Sequence, residues 1–289
     1  MDYALHLAIV ILIYVSLTVS LDLLIGETGI VSFGHAAFYG IGAYATAILT
    51  VSAGWHWLPA MAGAVVVAAV FAIAIGIPTL RLGGDYFILA LFGFQSIIVT
   101  VIQNWESLTN GPFGIRNIPR PNFGALQISS SLGIAIFIAA CTAIIVLIHW
   151  RFARSPMRAV LNAIRDDETV AQSLGIDVVK TRIVVFALAA GFAGVTGSLA
   201  AFYYRFIDPS GYMLPTMILV LAMVFIGGSR TIRGVIVGPV ILVLFPEIFR
   251  FVGDVKWDVG NVQEALYGLL LVLLMLFRPE GIAGKRAKV

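Results

Sequence analysis

The sequence predicts an all-α polytopic membrane protein of about nine transmembrane helices, with a range of about eight to ten, each span needing roughly 20 apolar residues. Of 289 residues, 60% are hydrophobic and only 11% charged, against about 25% charged in an ordinary soluble domain. Basic residues are also segregated. When successive links are assigned to alternate sides, Arg81, Arg151, Arg154, Arg158, Arg165, Lys180, Arg182, Arg230, Arg233, Arg278, Lys285, Arg286 and Lys288 share one side, thirteen of the eighteen, and short loops rich in Arg and Lys mark the cytoplasm. Spans on this scale leave no room for a folded soluble domain, so residues 1–289 read as a single transmembrane unit in contact with lipid. Any energy-converting domain must then come from another polypeptide. The formal charge of +3 is too small to argue for nucleic acid, and Cys141, the single cysteine, cannot form an intrachain disulfide.

The first span is expected over residues 3–25, where length and the lack of a cleavage-site pattern argue for a retained helix over a signal peptide. Asp22, near its inner end, is an ionisable group inside a span and so a functional candidate, although its shallow depth also lets it reach the headgroups. Glu27 reads as a loop residue. Residues 26–49, GETGIVSFGHAAFYGIGAYATAIL, are too polar and glycine-broken in their first third for regular helix. Irregular backbone at membrane depth survives only when buried in protein or lining a water-filled route, which makes Gly34, His35, Phe38, Gly40 and Tyr44 candidates for the wall of a translocation path. The competing reading is that Ala36, Gly40 and Tyr44, or Ala43 and Ala47, are close-packing positions. No Cys, Asp or second His stands at ligand spacing from His35, so that side chain reads as a hydrogen-bonded structural histidine and no metal is expected.

A third span is expected over 57–79 and a fourth over 86–101. The link LRLGGD between them is placed inside by Arg81, and Asp85 stands where it can cap the fourth span. Residues 103–131, QNWESLTNGPFGIRNIPRPNFGALQISSS, form the largest outward segment. Arg116 and Arg120 break the positive-inside trend there, either as solvated loop charges or as groups facing an acidic external partner. Pro112, Pro119 and Pro121 stiffen that loop and reduce the entropy lost when a partner orders it.

The fifth span, 132–150, leads to the longest polar interruption in the chain, 151–182, RFARSPMRAVLNAIRDDETVAQSLGIDVVKTR. Ser155 and Pro156 form a helix start, cap then first-turn proline. Met157, Val160, Leu161 and Ile164 recur on one face while Arg158, Asn162 and Arg165 share the other, the pattern of a surface helix. Asp166 or Asp167 can cap a second short helix, and Gly175 stands where a left-handed residue would stop it. The expected product is a compact cytoplasmic knob. In the sixth span, 183–204, small residues line up at Ala190, Gly194 and Ser198 and at Ala193, Gly197 and Ala201, the spacing of close helix approach. A seventh span ends at Ile226, GGSRTIRG lies inside, an eighth covers 235–251 and a ninth covers 262–277, leaving a basic tail inside. Arg116, Arg120, Arg205, Arg250 and Lys256 remain outside.

Phosphate-loop, dinucleotide, zincin and nucleophile-elbow motifs are all missing, so no chemistry of its own is expected of this chain. The residues instead describe a conduit whose gate is worked from inside. Three long runs, residues 26–49, GIPTLRLGGDYFILALFGFQSIIVTVIQNWESLTNGPFGIRNIPRP and SPMRAVLNAIRDDETVAQSLGIDVVKTRIVVFALAAGFAGVTGSL, followed by FIDPSGYM, IGGSRTIRG and LFRPEGI, resemble the membrane subunits of bacterial branched-chain amino acid ABC importers, the M-type permeases. The resemblance implies a permease fold of the vitamin B12 importer type (type II), in the bacterial inner membrane. It implies three kinds of partner: a homologous second permease, two cytoplasmic ATPases that use ATP and magnesium, and a periplasmic binding protein, with no cofactor held by this chain. It further implies that the loop after the fifth span carries the coupling helix, and so an ATPase-contacting role for Asp166, Asp167, Glu168, Ala171, Leu174 and Gly175. GGSRTIRG departs from the family pattern at Arg230 and Val235. Permeases for urea and short amides share much of the pattern. An ion-coupled secondary transporter, with Asp22 and Glu27 as the coupling site, is the reading from another class.

Overall fold

Inside a bilayer the backbone finds no partner but itself, so long apolar runs are driven into helices whose hydrogen bonds close within the segment. The structure, a computed structural model, describes residues 2–82, 84–123, 126–127, 130–252, 268 and 281–283. It begins with α1 (Asp2–Thr28), then an irregular link and α2 (His35–Ala47), which runs on into a π turn, Ile48–Ser52. Next come α3 (Trp57–Thr79) and α4 (Gly84–Asn104). The following segment holds α5 (Glu106–Thr109), a 3-10 turn at Gly111–Phe113, and three two-residue strands, β1 (Ile115–Arg116), β2 (Asn122–Phe123) and β3 (Leu126–Gln127). After α6 (Ser131–Phe152) come the short helices α7 (Pro156–Asp166) and α8 (Glu168–Ser173). The chain continues through α9 (Val178–Tyr204), β4 (Phe206–Ile207), a 3-10 turn at Pro209–Tyr212, α10 (Leu214–Gly227) and α11 (Ile232–Val252).

Among the described residues, α1, α3, α4, α6 and α9 are each long and apolar enough to cross a membrane. The third span falls on the expected residues, and the fourth, fifth and sixth are a few residues longer than expected. The seventh, α10, has 14 residues, which at about 1.5 Å per residue covers less than the roughly 30 Å of a hydrocarbon core. The expected eighth span falls within α11, which carries Pro239 and Pro246 inside it. The ninth span and the basic tail lie outside the described residues, except Gly268 and residues 281–283.

Burial sorts the helices into layers. In α1 and α9, 72% and 67% of the apolar window is buried in protein, against 28% in α3 and in α6, so the first two are interior and the other two lie at the periphery of the bundle. The small-residue stripe of α9 explains its position. A Cβ on Gly42 of α2 would stand 2.4 Å from the backbone of Gly194, and one on Gly197 would stand 2.2 Å from the Tyr39 carbonyl oxygen. Neither helix could approach so closely with larger residues. Across the same contact the hydroxyls of Thr46 and Ser198 lie 2.6 Å apart.

Four expectations need correction. Glu27 is not in a loop: α1 continues through Thr28, and Glu27 is completely buried in its last turn. Asp22 does not reach the headgroups, because other elements close over it and leave it fully buried. Asp85 does not cap α4, since the helix already begins at Gly84 and Asp85 lies in its first turn. Ser155 occupies the N-cap position of α7 without a side-chain cap, its hydroxyl donating back to the Phe152 carbonyl at 2.7 Å instead. The all-helical expectation also omitted two small ladders. β1 pairs antiparallel with β4, Ile115 against Ile207 and Arg116 against Phe206, and β2 pairs with β3. Two-residue strands carry no periodicity for a sequence reading to detect.

Candidate functional site

Two structures share one end of the molecule, the polar knob and a buried charge cluster beneath it. In the knob, α7 turns Leu161 and Ile164 inward and leaves Val160 partly buried, while Met157 of the same expected face is exposed. Asp167 ends α7 and caps α8, its Oδ1 accepting from the backbone N–H groups of Thr169 at 2.8 Å and Val170 at 3.0 Å. Thus Asp167, not Asp166, is the capping residue. Ala171 is buried and packs with Ile164 and Val178 in a small apolar cluster. Gly175 ends the unit with φ +83°, a conformation that costs glycine little. Leu174 is 73% exposed, Asp166 is exposed, and Glu168 forms a partly exposed ion pair with Arg182 at 3.0 Å. Of the six residues expected in the coupling role, Asp167, Ala171 and Gly175 build the knob, while Asp166, Glu168 and Leu174 form its surface. A cleft of about 430 Å³ runs beside it, bordered by Arg165, Asp167, Glu168, Asp85, Phe87 and Ile164.

Beneath the knob, Asp22 and Glu27 belong to a charge cluster whose other members sequence reasoning missed. The Glu27 carboxylate, 0% exposed, stands 3.0 Å from Nε of Arg158 on α7. The Asp22 carboxylate, also 0% exposed, accepts from the backbone N–H of Arg230 at 2.9 Å, and its second oxygen is 3.3 Å from Nε2 of the buried His149 on α6. The Arg230 guanidinium donates to Oδ1 of Asn162 on α7 at 2.7 Å, and Arg165 of α7 donates to the Gly26 carbonyl at 3.2 Å. Arg230 holds φ +68°, a left-handed conformation that turns its N–H toward Asp22. Two glycines make room. A Cβ on Gly26 would come within 2.6 Å of Oδ1 of Asp22, and one on Gly29 within 3.3 Å of the Arg165 side chain. The available signal was the pair of acids at the C-terminal end of one span, since isolated charges cannot be buried cheaply; which arginines answer them is a tertiary matter.

The five residues proposed for a path wall are all packed in the interior. His35 lies 2.6 Å from the Ser20 hydroxyl through Nε2, the hydrogen-bonded role expected for it. Phe38 packs edge-on to Phe186, Tyr44 lies edge-on to Tyr212, Gly40 faces the Tyr212 ring closely enough that a Cβ would meet it at 2.9 Å, and a Cβ on Gly34 would reach the Leu91 carbonyl at 3.0 Å. At the opposite end of the molecule, β1–β4 pairing pins the segment containing Arg116 to the link after α9. Arg116 is exposed with its guanidinium 5.5 Å from the Phe206 ring centroid, whereas Arg120 is half-buried beside His6, Tyr203 and Tyr204. Among the described residues, no cluster of His, Cys, Asp or Glu is suited to a metal.

Over residues 3–277 the chain matches the family described as branched-chain amino acid transport system, permease component. It is 32% identical to the high-affinity branched-chain amino acid transport system permease protein LivM of Salmonella typhimurium, over 96% of this chain and 69% of that protein. Identity to LivM of Escherichia coli is 30% with the same coverage. With the permease protein LivH of Escherichia coli it is 24%, over 94% of this chain and 91% of that one. No solved structure matches.

Proposed function

The chain belongs to the branched-chain amino acid transport permease family, and from that premise we propose that it is the membrane-spanning permease subunit of an ATP-driven importer for branched-chain or other aliphatic amino acids. In this reading it sits in a bacterial inner membrane with a homologous second permease, two cytoplasmic ATPases and a periplasmic binding protein, and has the vitamin B12 importer type of fold. Likeness to both LivM and LivH proteins favours a two-permease assembly.

The observation that carries the proposal is a capped, rigid knob in a chain otherwise given over to membrane helices and matching the family over residues 3–277. The chain has no nucleotide-binding motif, so energy must enter from a partner, and the knob offers a compact surface for one. Asp166, Glu168 and Leu174 would form the ATPase contact, held in place by Asp167, Ala171 and Gly175. A secondary transporter using Asp22 and Glu27 as ion ligands is disfavoured because both carboxylates already face Arg158, His149 and the Arg230 N–H. A permease for urea or short amides differs only in the substrate.

Purification of the tagged chain from its native membrane, followed by reconstitution and ATPase assay, tests the reading. The expected result is co-purified ATP hydrolysis that rises when binding protein loaded with leucine, isoleucine or valine is added. Stimulation by urea-loaded binding protein alone would replace the substrate class, and a purified chain with no associated hydrolysis would sink the importer.

A further inference from the structure

A knob pushed by an ATPase moves nothing in the bilayer unless something stiff joins the two. We propose that the inner end of α1 is that joint, with Asp22 and Glu27 as positioning residues that fasten the knob and the 228–231 link to the transmembrane bundle. This inference rests on the permease reading above and names the route by which such a subunit would receive its motion.

The contacts form a closed ring. α1 holds α7 through Glu27 and Arg158 and through the Gly26 carbonyl and Arg165. α7 holds the 228–231 link through Asn162 and the Arg230 guanidinium. That link returns to α1 through the Arg230 N–H and Asp22, and Asp22 also abuts His149 at the end of α6. Both carboxylates are completely buried, so opening the ring strands a charge in a low-dielectric interior, which is strongly unfavourable.

Two other attachments of the knob are softer. The packing of Ile164, Ala171 and Val178 is apolar and non-directional, so it tolerates sliding. The Glu168–Arg182 pair between α8 and α9 has a carboxylate 45% exposed, and surface pairs of that kind contribute little. Displacement of α7 therefore carries α1 and the 228–231 link with it.

The test uses the complete importer in proteoliposomes, with uptake and substrate-stimulated ATP hydrolysis measured on the same vesicles to give molecules transported per ATP. Glu27→Gln and Arg158→Gln should keep hydrolysing ATP but transport at least about tenfold less per ATP, a lower bound because breaking a buried pair by removing one partner is strongly unfavourable. The double variant should be no worse than the worse single variant, because both remove one contact. Arg81→Gln, which removes a cation from the same side outside the ring, should keep the wild-type ratio. A role in fold stability alone would lower the melting temperature in detergent and leave the ratio unchanged; that result, or single effects that multiply in the double variant, overturns the inference. If Glu27→Gln fails to accumulate, Arg158→Gln, at the 29% exposed side of the pair, decides by itself. Wild-type vesicles without substrate-stimulated hydrolysis would instead overturn the permease reading before any variant is compared.

Discussion

Asp166 and Asp167 adjoin in sequence yet differ in what they touch. Asp167 accepts two backbone N–H bonds at the start of α8, whereas Asp166 is exposed at the end of α7. Asp167→Ala should therefore cost about 1 kcal/mol locally, read as faster hydrogen exchange at the amides of Thr169 and Val170. Asp166→Ala should leave those amides at their wild-type rate. A loss of that size cannot unfold the bundle, so Asp166→Lys combined with Asp167→Lys should still insert and purify while uncoupling transport from hydrolysis; normal transport by that variant would remove these residues from the coupling surface. At the end opposite the knob, Arg116 is exposed over Phe206 and Arg120 is half-buried, so most of the charge offered to a partner comes from Arg116. Changing both to Glu should slow productive encounter with an acidic binding protein. The difference from wild type should shrink at high salt, because exposed charges are screened over about 8 Å at physiological ionic strength. The assay is hydrolysis rate against binding-protein concentration at two salt levels, and superimposable low-salt curves would leave these arginines without a docking role.

At the scale of elements, the contact between α2 and α9 depends on residues that lack side chains. With the imagined Cβ of Gly42 only 2.4 Å from Gly194 and backbone on both sides, neither helix has a flexible group that can yield. Gly42→Val should prevent close packing and abolish accumulation of folded protein, measured as monodisperse material after detergent extraction. Gly93→Ala, in α4 where an added Cβ meets nothing within 4 Å, should be neutral or slightly stabilising because alanine is the better helix former. The stripes Ala190, Gly194, Ser198 and Ala193, Gly197, Ala201 were legible as a packing face from spacing alone. Their partner was not, since small residues reveal that something approaches closely without identifying it. The same limit applied to α7: its apolar face was evident from Leu161 and Ile164, but Asn162, Arg158 and Arg165 read as solvated polar residues until α1 and the 228–231 link were seen against them.

For the whole molecule, sidedness is the prediction that every functional statement depends on. In a Cys141→Ala background, a cysteine at Val170, 54% exposed on the knob, should resist an impermeant thiol reagent in intact cells and react once the cytoplasmic side is opened. A cysteine at Asn117, exposed in the outer loop, should react in intact cells. The opposite pattern would invert the topology and move the knob away from any ATPase. The sequence by itself determined the helical class, the positions of the longer spans and the existence of the knob. Lipid and helix geometry act locally there: a run of apolar residues must close its own hydrogen bonds, and a cluster of cations or a capping Asp is read within a few positions. Only the tertiary structure decided that Asp22 meets an N–H 208 positions away and that Arg165 meets a carbonyl 139 positions away. A buried carboxylate announces that it needs a partner, but the identity of that partner is set by which helix ends packing brings together, and no local pattern encodes that.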